Sequence, residues 1–220
     1  DGRAVVAFSS NDYLGLAAET NLIRAAAPAA LYAALKQTAN AAAADVRAAG
    51  YGGTLFASVQ VETAWGVLGG NGPFVGIALD RADFGFMQML GLSSYPYFSW
   101  STPENIPADY YTRLQQGSSN PLPVMVVEGG WPSQGASANG VTVSSSPALQ
   151  ARYIARHPAL LDSVSARGWI QLVFADIDLT QFPLPQPPNL PLFVTLGLVD
   201  SQFVAKPALA NWDAAFARPR

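Results

Sequence analysis

Residues Pro123 to Val127 (PVMVV) form an unbroken apolar run that stops abruptly at Glu128 and the turn-forming pair Gly129-Gly130. A strand with one wet face alternates apolar and polar positions, whereas a run without alternation suits a parallel strand covered on both faces. Parallel neighbours need crossover connections, so this run calls for helices between strands. The rest of the chain supplies them. Tyr13 to Ala18 (YLGLAA) is a short apolar run ending at Glu19, and Pro28 then opens a long alanine-rich stretch closed by Gly50. Leu31, Leu35 and Val46 mark the buried side of that helix, and its alanines allow close approach to a sheet. Leu55 to Val61 (LFASVQV) is a second strand, followed by a glycine-rich connection from Gly66 to Gly76. Met87 to Tyr97 carries an apolar run into SSYPY, where Pro96 ends regular pairing.

Pro107 to Gln116 reads as a short helix before the Val127 strand. Ser146-Pro147 starts a helix that reaches Arg167 and closes at Gly168. Trp169 to Phe174 (WIQLVF) reads as another buried strand, followed by Asp176 and Asp178. A proline-rich loop from Phe182 to Pro191 precedes a last helix from Pro207 through Phe216. No internal repeat and no separating linker interrupts residues 1–220, which read as one domain. On this pattern alone the sheet is either a barrel or an open doubly wound sheet.

Composition narrows the function. Half of the positions are hydrophobic (50%), enough for a sizeable core in 220 residues. Only 12% are charged and the net charge is -3, so nucleic acid is an unsuitable partner. The absence of cysteine removes disulfides, thiolate metal sites and a cysteine nucleophile. It leaves the compartment open, a secreted or periplasmic location included. Asp1-Gly2-Arg3 does not read as a secretory leader, and no charge-free apolar run has the length of a membrane span.

Three strands end in carboxylates, at Glu19, at Glu128 and at the pair Asp176 and Asp178. In a parallel barrel those ends share one face, where active sites lie. The segment VMVVEGGWPS, with Trp131-Pro132-Ser133 behind Glu128, resembles the seventh-strand nucleophile segment of clan A glycoside hydrolases, closest to the endo-galactanase-like branch with its Glu-x-Gly-Trp-Pro. LAAETN resembles the fourth-strand acid/base segment of the same enzymes, although Ala18 stands where the family has an Asn that binds the sugar 2-hydroxyl. Glu19 precedes Glu128 by about 110 residues, the length of three βα units at roughly 30 residues or more each. GLSSYPY resembles the sixth-strand end, and LGLVDSQFVAKPALANW the closing loop and helix.

The resemblance implies an incomplete (β/α)₈ TIM barrel, strands four to eight with their helices, and a retaining hydrolysis of a β-glycosidic bond in a polysaccharide or oligosaccharide. It implies Glu128 as nucleophile, Glu19 as acid/base and Tyr95 as the tyrosine that orients the nucleophile, with no metal and no organic cofactor. Two carboxyls about 5–5.5 Å apart perform this chemistry through a glycosyl-enzyme intermediate. Burial and the neighbouring carboxylate are expected to raise the pKa of Glu19. An incomplete barrel would also leave open sheet edges that invite association.

Each candidate has a plainer alternative. Glu128 could be a solvated loop residue, and Glu19 could cap the helix that follows. Trp131 and Trp65 could stack on sugar rings, as could Trp100 and Tyr97, but large aromatics are more often core residues. Asp176 could accept substrate hydroxyls or brace a loop, with Asp178 an equal candidate for either. Glu62 follows the LFASVQV strand and is a reserve acid/base. Asp80 and Asp83 read as surface charges, and His157, before Pro158, as a surface or kink residue. The Ala18 departure keeps open a catalytically silent carbohydrate-binding relative. FSSNDYLGLA is similar to the opening of pyridoxal-phosphate-dependent oxoamine synthases, but the likeness stops there, and Lys36 and Lys206 lie in helical contexts rather than in a cofactor loop.

Overall fold

The computed structural model describes residues 6–8, 19–68, 72–181 and 184–218. In chain order the regular elements are β1 (Val6–Phe8), α1 (Thr20–Ala26), α2 (Ala29–Ala48), β2 (Leu55–Gln60), α3 (Val61–Ala64), α4 (Ala78–Asp83), β3 (Met89–Ser94), β4 (Val124–Gly129), β5 (Ala136–Ala138), β6 (Val141–Val143), α5 (Pro147–Asp162) and α6 (Pro207–Phe216). They fall into two compact units, one of residues 1–94, 111–127 and 164–169, the other of residues 95–110, 128–163 and 170–220.

The first unit carries the sheet. Its strands lie in the order β1-β2-β3-β4, and both β1–β2 and β2–β3 are parallel, with Phe8 opposite Ala57 and Gln60 opposite Ser93. Every residue of β2 and β3 is buried, as their apolar runs require. Ala57, with Phe84 and Met87, packs against Tyr32, Leu35 and Ala39 of α2. By the alternation of a strand, Phe56, Ser58 and Gln60 then face away from that helix. Gly91 is needed in β3 because a Cβ there would meet the Phe56 ring at 2.7 Å.

Helix α2 follows the expected Pro28-to-Gly50 span. Gly50 adopts φ +85°, the Gly50 N–H bonds the Arg47 carbonyl at 3.0 Å and the Tyr51 N–H bonds the Val46 carbonyl at 3.2 Å, the pairing of a Schellman close. Its buried side runs through Tyr32, Leu35, Ala39 and Ala43. Leu31, expected on that side, is 55% exposed, one residue being enough to rotate a side chain by about 100°.

Three expected elements differ. Pro107 to Gln116 is a pair of turns with a 3₁₀ turn at Thr112–Gln115, because Tyr110 and Tyr111 are both buried and adjacent residues do not share one helix face. The strand expected at Trp169 to Phe174 is an extended segment with isolated parallel bridges, Val126 to Trp169 and Ala175 to Val199, and Ile170 and Phe174 are exposed. Helix α5 ends at Asp162, not Arg167. Ser163 Oγ donates back to the Leu160 carbonyl at 2.7 Å, and Ser165 takes a left-handed φ of +47°. The strand expected at Tyr13 to Ala18 lies outside the described residues, as does Ala18 itself.

The second unit is built on α5 and α6. Ser146 Oγ accepts the Leu149 N–H at 3.2 Å, the N-cap that Ser146-Pro147 announces. The α6 span is as expected, and Asn211 ties it to the Ala151 carbonyl of α5 at 2.9 Å. A hairpin of β5 and β6 turns on Asn139-Gly140, both at positive φ, a two-residue turn whose Asn-Gly signature is plain in the sequence.

Candidate functional site

Glu128 is the penultimate residue of β4 and is half-buried. Its carboxylate accepts a hydrogen bond from the Tyr95 hydroxyl. Tyr95 follows directly on β3 and is 3% exposed. Its ring is boxed by Phe193 at 5.1 Å and Tyr97 at 5.9 Å, both edge-on, so the phenol has little freedom to leave the carboxylate. Behind Glu128 the chain can turn only through glycine. Gly130 has φ +154°, and a Cβ there would meet Gln171 Nε2 at 2.7 Å and Leu196 at 3.3 Å.

The segment after Glu128 is fixed by two polar anchors. Gln150, fully buried on α5, donates to the carbonyls of Trp131 at 2.9 Å and Gly197 at 3.0 Å. Lys206 donates to Ser133 Oγ at 2.8 Å and to Asp176 at 2.5 Å. Asp176 also accepts the Gly197 N–H at 3.0 Å. Desolvation keeps its pKa above the ordinary carboxylate value in spite of the ammonium beside it. Asp176 thus braces loops in this conformation. Half-buried Asp178 accepts both the N–H and the hydroxyl of Thr180, which holds its pKa below the usual range.

Trp131 has no exposed surface. It donates to Ser145 Oγ at 3.0 Å and lies in an aromatic column with Tyr97 at 6.1 Å and Tyr153 at 5.5 Å. It is a core residue and offers no face to a sugar. Tyr97 donates to the Leu192 carbonyl, and Trp100 meets Tyr110 edge-on at 5.4 Å. His157 is not the surface or kink residue expected before Pro158, since it is fully buried and stacked on Tyr153 at 4.9 Å. Burial pushes its pKa down to about 3.

In the first unit, Glu19 forms a parallel bridge to Ser58, one position beyond the partner of Phe8. It stands at the N-cap position of α1, yet its side chain makes no cap hydrogen bond. Its two successors anchor it. Asn21 donates to the Gln60 carbonyl at 2.7 Å and accepts the Gln60 N–H at 2.8 Å, so a side-chain amide continues the ladder that the backbone leaves. Thr20 donates to Asp80 at 3.0 Å, and Arg24 pairs with the same carboxylate at 2.7 Å. Asp80 is therefore a buried tie, not the surface charge expected of it. Asp83 is the more exposed partner of Tyr32 and Lys36.

Glu62 is fully buried in α3, the short helix that follows β2, and accepts from Gln60 Nε2. Trp65 is 8% exposed, its ring covered by the Arg113 guanidinium at 4.7 Å and edged by Phe74 at 5.8 Å. As a sugar platform it is closed. Sequence reading missed Arg113, Gln150 and Asn21, whose roles come from partners remote in the chain. Lys36 and Lys206 are held in ion pairs, and the oxoamine-synthase-like segment lies outside the described residues apart from Phe8. No helix among the described residues is long and apolar enough to cross a membrane.

No protein-family model matches the chain, and no curated protein matches it. Among solved structures it is similar to a glycoside hydrolase family 17 β-1,3-glucanosyltransferase from Rhizomucor miehei, at 17% identity and TM-score 0.52 over 79% of this chain and 56% of that one. An active-site mutant of the Rhizomucor enzyme in complex with laminaritriose aligns at 16% identity and TM-score 0.50, over 80% of this chain and 56% of that one. A β-glucuronidase from an uncultured Clostridium sp. aligns at 15% identity and TM-score 0.52, over 80% of this chain and 28% of that one. The chain thus spans about half the length of the first of these and about a quarter of the last. The likeness is one of fold, to part of the TIM barrel on which glycoside hydrolases are built.

Proposed function

We propose that this chain carries the catalytic carboxylates of a retaining glycoside hydrolase that cleaves β-glycosidic bonds in a polysaccharide or oligosaccharide. The observation that carries the reading is the hydrogen bond from buried Tyr95 to Glu128 at the end of a parallel-sheet strand. A phenol donating to a carboxylate favours its ionised form and fixes one oxygen, leaving the other to attack an anomeric carbon. In this reading Glu128 is the nucleophile, Tyr95 its positioning residue and Glu19 the acid/base that protonates the leaving oxygen and then activates water. Glu62 is the reserve for that second role. The Glu128-Gly-Gly-Trp-Pro segment supports a place near the endo-galactanase-like branch, and the fold likeness makes β-glucan a second substrate class to assay.

The test is Glu128→Gln against laminaritriose, a galactan tetrasaccharide and an aryl β-glucuronide. Loss of kcat by about 10⁴-fold or more with sugar binding kept is expected of a nucleophile. Proton NMR of the first product formed should show the β-anomer. A wild-type protein that binds these sugars without cleaving any would leave a carbohydrate-binding relative and overturn the hydrolase.

A further inference from the structure

The tight loop Asp200–Val204 in the second unit has no part in the roles above. The Asp200 carboxylate accepts the Gln202 N–H at 2.8 Å and the Val204 N–H at 2.9 Å. The Asp200 N–H bonds the Val204 carbonyl at 2.9 Å, the Phe203 N–H bonds the Asp200 carbonyl at 3.0 Å, and Val199 and Ala205 close the base as an antiparallel bridge. So braced, the loop holds Phe203 at φ +62° and 73% exposed. That is the left-handed region, where a bulky side chain is strained and glycine is at ease. An exposed ring gains little from packing, so local stability does not explain a phenylalanine here. Strain kept at a well-braced position is a reason to look for a function.

The location suggests which. Val199 runs parallel to Ala175, so the Asp200–Val204 loop follows the C-terminal end of a parallel segment, in the same compact unit as Glu128. Ser201 and Gln202, the two residues before it, are both exposed, and the Gln202 amide donates to the Ser201 carbonyl at 3.4 Å. An exposed aromatic face on a braced loop, with polar residues next to it in the chain, matches a pyranose, which offers an apolar C–H face rimmed by hydroxyls. Phe203 and the adjoining Val204, 61% exposed, are together far short of the roughly 1,000 Å² that a stable protein interface buries. We infer that Phe203 is a sugar-stacking platform, a subsite for a saccharide unit of the substrate, retained at the expense of local stability. This rests on the glycosidase reading and adds a residue to it.

The experiment uses the Glu128→Gln protein as the non-cleaving parent, titrated with laminaritriose and with a galactan tetrasaccharide, and compares it with the same protein carrying Phe203→Gly or Phe203→Tyr. The glycine variant should melt about 2 °C higher, the left-handed strain being relieved, and bind about five- to tenfold more weakly, the ring being gone. The tyrosine variant should keep the parent's affinity. Equal affinity for the glycine variant, or a lower melting temperature, overturns the platform while wild-type hydrolysis leaves the glycosidase standing. If no sugar binds and the wild-type protein cleaves none, both readings fall together.

Discussion

Glu128 stands near the end of β4 and Glu19 at an isolated parallel bridge to Ser58 of β2, and their surroundings are fixed in different ways. Glu128 is gripped through its own carboxylate by Tyr95. Beside Glu19 the two residues that follow are anchored, Thr20 on Asp80 and Asn21 on Gln60. The contrast fits the roles proposed for them. A nucleophile that stays ionised gains from a permanent hydrogen-bond donor, and an acid/base, which must take up and release a proton, gains from a firmly placed backbone.

Breaking the Asn21 ladder is the harshest test of this contrast. Asn21→Ala leaves the buried Gln60 N–H and carbonyl without their partners, which costs about 2–4 kcal/mol of stability. Stability and activity should fall together, since the strand end that presents Glu19 loosens. Urea unfolding beside kcat measurements would show it. An unchanged midpoint would mean that the amide only decorates the β2 edge.

Tyr95→Phe probes the other grip. The ring and its packing against Phe193 stay, so the melting temperature should hardly move. Loss of one charge-assisted hydrogen bond should lower kcat about 10- to 100-fold. The acid limb of the pH profile should also shift upward, because the carboxylate loses the donor that favours its ionised form. Unaltered kcat and pH profile would remove Tyr95 from the positioning role.

The two regions were also unequally legible in the sequence. Apolar runs located β2, β3 and β4 to within about three residues, because the doubly buried strands β2 and β3 have little other composition open to them, whereas β4, expected to be covered on both faces, leaves Met125 and Val127 only half-buried. Pro and Gly marked the ends of α2 and the start of α6. The same logic failed at Trp169 to Phe174, where apolar content does not report that Ile170 and Phe174 face outward. Polar burial was the larger omission. Asp80 and His157 look like surface residues until Thr20 and Arg24 on one side, and Tyr153 on the other, are brought to them by the fold. Trp131 and Trp65 show the converse. An aromatic beside a catalytic motif reads as a platform, yet one is closed in a column of rings and the other lies under Arg113.

His157 gives the mildest test, and it separates the two units by pH. It is the single histidine of the chain and belongs to the second unit. Burial depresses its folded pKa to about 3, against about 6.5 in an unfolded chain. The unfolded state therefore binds the proton first as the pH falls. The stability contributed by neutral His157 is complete above about pH 6.5 and drains away as the pH drops toward 3. The melting temperature should decline across that window in the wild-type protein and decline less steeply in His157→Gln, whatever the variant's stability at neutral pH. Backbone hydrogen exchange at pH 5 should show the added opening first around Tyr153 on α5, with the β2–β3 ladder of the other unit affected later. Identical slopes in the two proteins would mean that the proton uptake destabilising the fold in acid occurs elsewhere, at carboxylates such as Asp83 and Asp178 whose folded pKa values lie below the ordinary range.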